Sequence, residues 1–181
     1  MRKKILWITE TAVMMALLIT LQALTKPLGQ LVTGSCVNAI LAVSALVGGL
    51  GCGLTVAVLS PIFAFLFGIA PQVLTVPVIM AGNAVYVLLL CLLSKKGKQF
   101  WWSIVALAVA AVAKFAVLYL LVTKVICGVL AGGLLEKGLL KEPMLKALPA
   151  TFSTPQLITA LVGGTVALLI VPVLRKALKR N

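Results

Sequence analysis

The run AVAAVAKFAVLYLLV, residues 108–122, holds one charged side chain, Lys114. An ammonium in apolar surroundings needs a counter-charge or hydrogen-bond partners. Three amides sit in similar surroundings: Asn38 in GSCVNAIL, Asn83 in IMAGNAVYVL and Gln156 in FSTPQLIT. One amine and three amides can donate to and accept from a small ligand.

The wider composition agrees. The chain has no His, and its three acidic residues are Glu10, Glu136 and Glu142. A Ser-His-Asp triad is excluded, and the usual ligands of catalytic metals are scarce. A carboxylate pair would have to come from these three glutamates, and Glu10 lies a long way along the chain from the other two. The four cysteines, Cys36, Cys52, Cys91 and Cys127, form no CxxC spacing and read as small apolar residues of helices. No cofactor is called for, and an enzyme is not expected.

The elements that must position these residues are membrane helices. Hydrophobic residues make up 62% of the chain and the mean hydropathy is +1.22, against roughly 45–50% apolar for a soluble domain. A spanning helix takes about 20 apolar residues. The pattern predicts an all-α membrane domain covering 1–181, with six spans near 5–24, 31–48, 53–68, 73–93, 101–123 and 155–173. GGLGCG splits the second span from the third, GIAPQ makes the next turn, SKKGKQ closes the fourth, and Trp101 and Trp102 mark the interfacial start of the fifth. The first span lacks an A-x-A-like cleavage site and is expected to stay. Residues 124–152 are expected to form one long extracellular functional loop with a short amphipathic helix, broken by Pro143 and Pro149.

Orientation follows the basic residues behind the net charge of +13. Arg2, Lys3 and Lys4, then Lys95, Lys96 and Lys98, then Arg175, Lys176, Lys179 and Arg180 fall on one side of a six-span chain. Both termini are therefore expected to be cytoplasmic. At 1.5 Å per helical residue, Lys114 lies roughly 13 Å and Asn83 roughly 15 Å from the outer face. Asn38 falls in the outer half of its helix and Gln156 at the outer start of the last one.

Snorkelling does not rescue Lys114, because its stem reaches only about 6 Å. A central lysine costs about 2.5–3.5 kcal/mol on insertion scales. An inward-facing lysine with a partner is expected: a ligand anion, a backbone carbonyl or Glu10. Glu10 lies near the inner end of the first span, so depth argues against it, and it reads as interfacial. Asn83, Asn38 and Gln156 are candidate pocket residues whose alternative is an interhelical hydrogen bond. Ala12 and Ala16 stand one turn apart on one face of the first span, a small-xxx-small spacing that lets another helix approach. The same spacing at Gly49 and Gly53, and at Gly128 and Gly132, suits internal packing or turns.

With these features in place, the chain resembles a substrate-binding S component of an energy-coupling factor (ECF) transporter, of the pantothenate/riboflavin type. The stretches VNAILAVSALVGGLGCGLTVAVLSPIFAFLFG and FSTPQLITALVGGTVALLI carry the likeness, with the chain length, the six spans and the Ala12/Ala16 pair. The resemblance implies high-affinity capture of a vitamin or related micronutrient at a prokaryotic plasma membrane. It implies a site lined mainly by the last three spans and by the loops after the first, third and fifth. Ala12 and Ala16 would dock a transmembrane T component, and two ATPase subunits would supply energy. This chain has no G-x-x-x-x-G-K-[ST] loop with which to hydrolyse ATP itself.

A buried lysine favours an anionic substrate. Pantothenate is the first candidate, with biotin and folate behind it. The alternatives are a stand-alone proton-coupled transporter, which would titrate Glu10 or Lys114, and a non-transporting structural membrane partner. A membrane enzyme of lipid metabolism is disfavoured by the missing Asp and His.

Overall fold

In the computed structural model, residues 2–69, 72–94 and 100–178 are described. Lys95, Lys96, Lys98, Lys179 and Arg180, which helped to set the expected orientation, lie outside them. Six helices among the described residues are long and apolar enough to cross a membrane.

The helices are α1 (Arg2–Thr25), α2 (Gln30–Val47), α3 (Gly49–Leu66), α4 (Thr75–Ser94), α5 (Phe100–Tyr119), α6 (Ala131–Glu136), α7 (Glu142–Thr151) and α8 (Thr154–Ala177). With no water in the hydrocarbon layer, polar groups must be satisfied within the chain. The hydroxyls of Thr9, Thr11, Thr25, Ser35, Thr55 and Thr165 each donate to the carbonyl four residues earlier. The GGLGCG break falls at Gly48 and Gly49, where Gly49 takes φ +84°. The third helix therefore starts four residues before the expected position 53. Past Leu66, Gly68 at φ +66° turns the chain, and the Ile69 amide closes back on the Ala64 carbonyl at 2.8 Å.

The expected loop over 124–152 is corrected to a largely helical segment. After Tyr119 the fifth span continues as a π-helix, Leu120–Val129, followed by α6 and α7. The apolar run LLVTKVICGV lets the span continue, and Pro143 sits in the first turn of α7, where its missing N–H costs nothing. Pro149 lies inside α7 without ending it.

Two apolar clusters hold the bundle. The larger joins Leu18, Leu41, Val56, Tyr86, Leu90 and Ala110 towards the end where α1 begins and α8 finishes. The smaller sits at the opposite end, where Leu140, Leu148 and Phe152 pack on Val78, Leu118, Val122 and Ile126. That second cluster pins α7 across the bundle end.

The α2–α8 seam is close. A methyl group added at Gly163 would run into the backbone of Ser35 and Ala39, and one at Gly34 would meet Thr159. The Arg175 guanidinium donates to the Leu46 carbonyl at 2.8 Å, capping the last turn of α2 from α8. Gly53 also serves packing, since a side chain there would meet Val87 and the Ala45 backbone. At Gly132 there is open space instead, so the packing expected of that pair is absent there.

Candidate functional site

The lysine that opened the sequence reading is 2% exposed. Its Nζ donates to Oδ1 of Asn38 at 2.6 Å and to Oδ1 of Asn83 at 2.7 Å. Its partners are thus two side-chain amides, not Glu10 or a backbone carbonyl. Glu10 is half-exposed near the start of α1, whereas the α1 residue on the cavity is Gln22. The ammonium also stands 5.4 Å from the ring centroid of Tyr86, within cation–π range.

Asn38 is the hub of the network. Its Oδ1 faces the lysine, so its Nδ2 points the other way, donating to the Gly34 carbonyl at 2.9 Å and to Thr159 Oγ1 at 3.2 Å. Thr159 passes its proton to the Gln156 carbonyl at 3.2 Å, and Gln156 Nε2 donates to the Thr151 carbonyl at 3.3 Å. One hydrogen-bonded path therefore runs from α5 through α2 to α8 and the end of α7. Tyr86 is fixed separately, donating to the Ala160 carbonyl at 3.1 Å.

This path borders a cavity of about 380 Å³ at the end of the bundle opposite the start of α1 and the finish of α8. The volume is that of a small-molecule site. Lys114, Asn83, Asn38 and Gln156 all line it, so the structure brings together the four candidates read from the sequence. Among the described lining residues the charged ones are Lys114 and Lys26, both cationic. Ile69, Ile79, Leu148 and Phe152 supply apolar wall.

Helix α2 contributes Gln30, Thr33, Gly34, Val37 and Asn38 to the lining, more than α4, α5 or α8. The last three spans together with the segments after the first, third and fifth supply most of the wall, as the likeness implied, and α2 adds a share that it did not. The cause is the glycine-mediated α2–α8 approach, which turns one face of α2 inward. Residues around α7 also line the cavity, as the likeness implied for the stretch after the fifth span.

The mouth is tied by two side chains the sequence reading passed over. Lys26 Nζ donates to the Gly68 carbonyl at 2.7 Å, joining the turn after α1 to the turn after α3. Gln72 Nε2 donates to the Leu139 carbonyl at 2.9 Å, joining the α3–α4 connection to the segment before α7. Gln22 in α1 lines the cavity too. Thr159 could have been found, since it lies one turn after Gln156 on the same face, as Tyr86 does after Asn83. Gln22 and Gln72 carry no such signal, because a glutamine at a span end is ordinary.

Ala12 and Ala16 are away from the cavity and both exposed on α1. That helix is the least buried of the six spanning candidates.

A family model for the substrate-specific component of ECF transporters matches residues 7–175. Neither the curated proteins nor the solved structures gave a match. The matched region reaches into all six spanning helices and takes in the cavity and the exposed alanine pair, and the chain belongs to the family of ECF transporter substrate-specific components.

Proposed function

We propose that this chain is the membrane-embedded binding subunit of a prokaryotic micronutrient importer, capturing a small anionic vitamin from outside the cell. The observation that carries the reading is Lys114, a deeply buried cation held by two neutral amides on the wall of a ligand-sized cavity. Neutral amides position an ammonium without cancelling its charge. A ligand anion entering the cavity meets a preoriented donor in poorly hydrated surroundings, where charge-assisted hydrogen bonds are strong. Pantothenate is the first candidate, because it carries a single carboxylate and no flat ring system that would want aromatic stacking.

Partners follow from the family. S components work with a transmembrane T component and two ATPase subunits, and the exposed Ala12 and Ala16 on the least buried helix suit close approach by a partner helix. The cavity then faces the outside and both termini the cytoplasm, in keeping with the basic residues near Arg2 and Arg175.

The test is a thermal-shift screen of the purified chain in detergent against a vitamin panel. A ligand at 100 times its dissociation constant stabilises by about 2.7 kcal/mol. A vitamin hit supports the reading. A folded chain that responds to no member of a broad panel would sink it.

A further inference from the structure

The two asparagines that hold Lys114 make the same bond to it, yet they are not equivalent. An ammonium only donates, so each amide presents its oxygen to Nζ and turns its Nδ2 away. Asn38 spends its Nδ2 on the Gly34 carbonyl and on Thr159 Oγ1. Nδ2 of Asn83 has no acceptor among the described residues. Nor is it one of the unpaired polar atoms sealed inside the protein. Asn83 is 1% exposed and lines the cavity, so the little surface it keeps opens there.

The lysine also keeps a donor. Its nitrogen carries three N–H bonds, and two go to the asparagines. Along the path that leads away from it, the other side-chain donors are spent, Thr159 on the Gln156 carbonyl and Gln156 on the Thr151 carbonyl. Tyr86 is spent on the Ala160 carbonyl. Thr33, one helical stretch above Asn38 on the same wall, donates to the Thr25 and Gly29 carbonyls. The deep wall therefore presents two unspent donors, a charged one from α5 and a neutral one from α4. The Lys114–Asn83 bond at 2.7 Å holds them next to each other.

We infer that Asn83 touches the ligand while Asn38 only positions the lysine, and that Lys114 and Asn83 together take the two oxygens of one carboxylate. The inference rests on the binding-subunit reading above and adds which groups meet the anion and what kind of anion it is. A carboxylate has two acceptor oxygens on one carbon, one for each donor, and the ammonium answers its single charge. A phosphate monoester brings a charge of about −1.5 to −2. The second lining cation, Lys26, does not answer that excess, because it is exposed and donates to the Gly68 carbonyl. A neutral ligand leaves the ammonium without a counter-charge. Loss of either asparagine takes one acceptor from the lysine, but only loss of Asn83 also takes a donor from the ligand.

The experiment measures affinities by calorimetry on the full-length chain in detergent, unaltered and as Asn83→Leu and Asn38→Leu. The probes are pantothenate and biotin, their acid-free analogues panthenol and biotin methyl ester, and pyridoxal phosphate as a dianion. Thiamine and riboflavin stand outside the class. At least one of the two acids should bind, about tenfold or more tighter than its acid-free analogue, and pyridoxal phosphate should bind more weakly than that acid. Asn83→Leu should weaken the acid about tenfold or more and leave the analogue within about threefold. Asn38→Leu should weaken the acid by less, although both variants melt lower. A second measurement needs neither variant. The chain has three asparagines, Asn38, Asn83 and Asn181, so isotope labelling of asparagine gives three side-chain amide signals in a magnetic resonance spectrum. Asn181→Ser assigns one, and proximity to the Thr159 side chain assigns Asn38. The acid should shift the Asn83 signal most. Equal weakening of the acid by the two leucine variants, or an Asn83 signal unmoved by bound acid, would overturn the inference and leave the binding-subunit reading standing. Pyridoxal phosphate binding more tightly than either acid would do the same, as would thiamine or riboflavin binding while neither acid does. No binding by any probe to a folded chain would overturn both.

Discussion

Lys114 and Asn38, 76 positions apart in the chain, meet at 2.6 Å between Nζ and Oδ1. The contact joins α5 to α2 in the middle of the bundle, and Asn83 completes it from α4 at 2.7 Å. Three helices thus share one proton donor. A charge whose partners are removed costs more than the pair itself contributes, because the remaining partner stays buried and unanswered.

The first prediction follows from that asymmetry. Asn38→Leu without ligand should lower stability by about 1–3 kcal/mol, since it strips the buried ammonium of one acceptor. Lys114→Met should lower it by a similar amount, because it removes the charge but leaves the Asn38 and Asn83 oxygens without their donor. The double variant should lose less than the sum of the two. Thermal unfolding of the four proteins in one detergent checks this, and strict additivity would show that the two residues do not share a network.

A second prediction concerns the seam that turns α2 toward the cavity. Gly163→Val should destabilise by about 1–3 kcal/mol or prevent folding, because the added atoms meet the Ser35 and Ala39 backbone. Gly132→Ala in α6 has open space around it and should be neutral or stabilising by about 0.4–1 kcal/mol. Comparing the melting temperatures of the two variants separates a packing glycine from a merely tolerated one.

Lys114, Asn83, Asn38 and Gln156 stood out in the sequence as candidates for a physical reason, although that they share one cavity wall did not. A polar group in an apolar run is expensive, so its presence demands a partner or a role. The six spans were legible by length and hydropathy. Gln22 and Gln72 were not, because polar residues at span ends are cheap and carry no signal. That the segment after the fifth span lies over the cavity was implied by the likeness, but not that it does so as the helix α7. That cover depends on Leu148 and Phe152 meeting Val122 and Ile126, a tertiary contact between segments that read separately as a loop and a span end. The prominence of α2 in the wall was hidden for a related cause, since helix rotation is set by Gly34 and Gly163 at an interface between residues far apart in the chain.

A third prediction tests the ties over the mouth. Lys26→Met removes the hydrogen bond from α1's turn to the Gly68 carbonyl and leaves the deep site untouched. An exposed neutral-acceptor bond of this kind is worth about 0.5–1.5 kcal/mol, so ligand dissociation should quicken by about two- to tenfold. The association rate should change less, because closing, not entry, depends on the tie. Stopped-flow measurements with the ligand found in the vitamin screen give both rates, and an unchanged dissociation rate would show that the turn does not retain ligand.

The last prediction separates capture from transport. Ala12 and Ala16 are exposed on α1, away from the cavity, with Val13 and Leu17 exposed beside them. Nothing in the network around Lys114 reaches this face. Ala12→Trp should therefore leave the melting temperature and ligand affinity of the isolated chain unchanged. A bulky ring at a small-residue contact prevents close helix approach, and van der Waals packing is what drives such contacts in a bilayer. Co-purification with the T component and the ATPase subunits should be lost or much reduced, and uptake by cells should fall with it. Loss of ligand binding in the isolated variant would place this face in the binding machinery instead. Full assembly and uptake would move the docking surface elsewhere, the outer face of α5 around Val105, Val109 and Val112 being the next exposed apolar stripe to test.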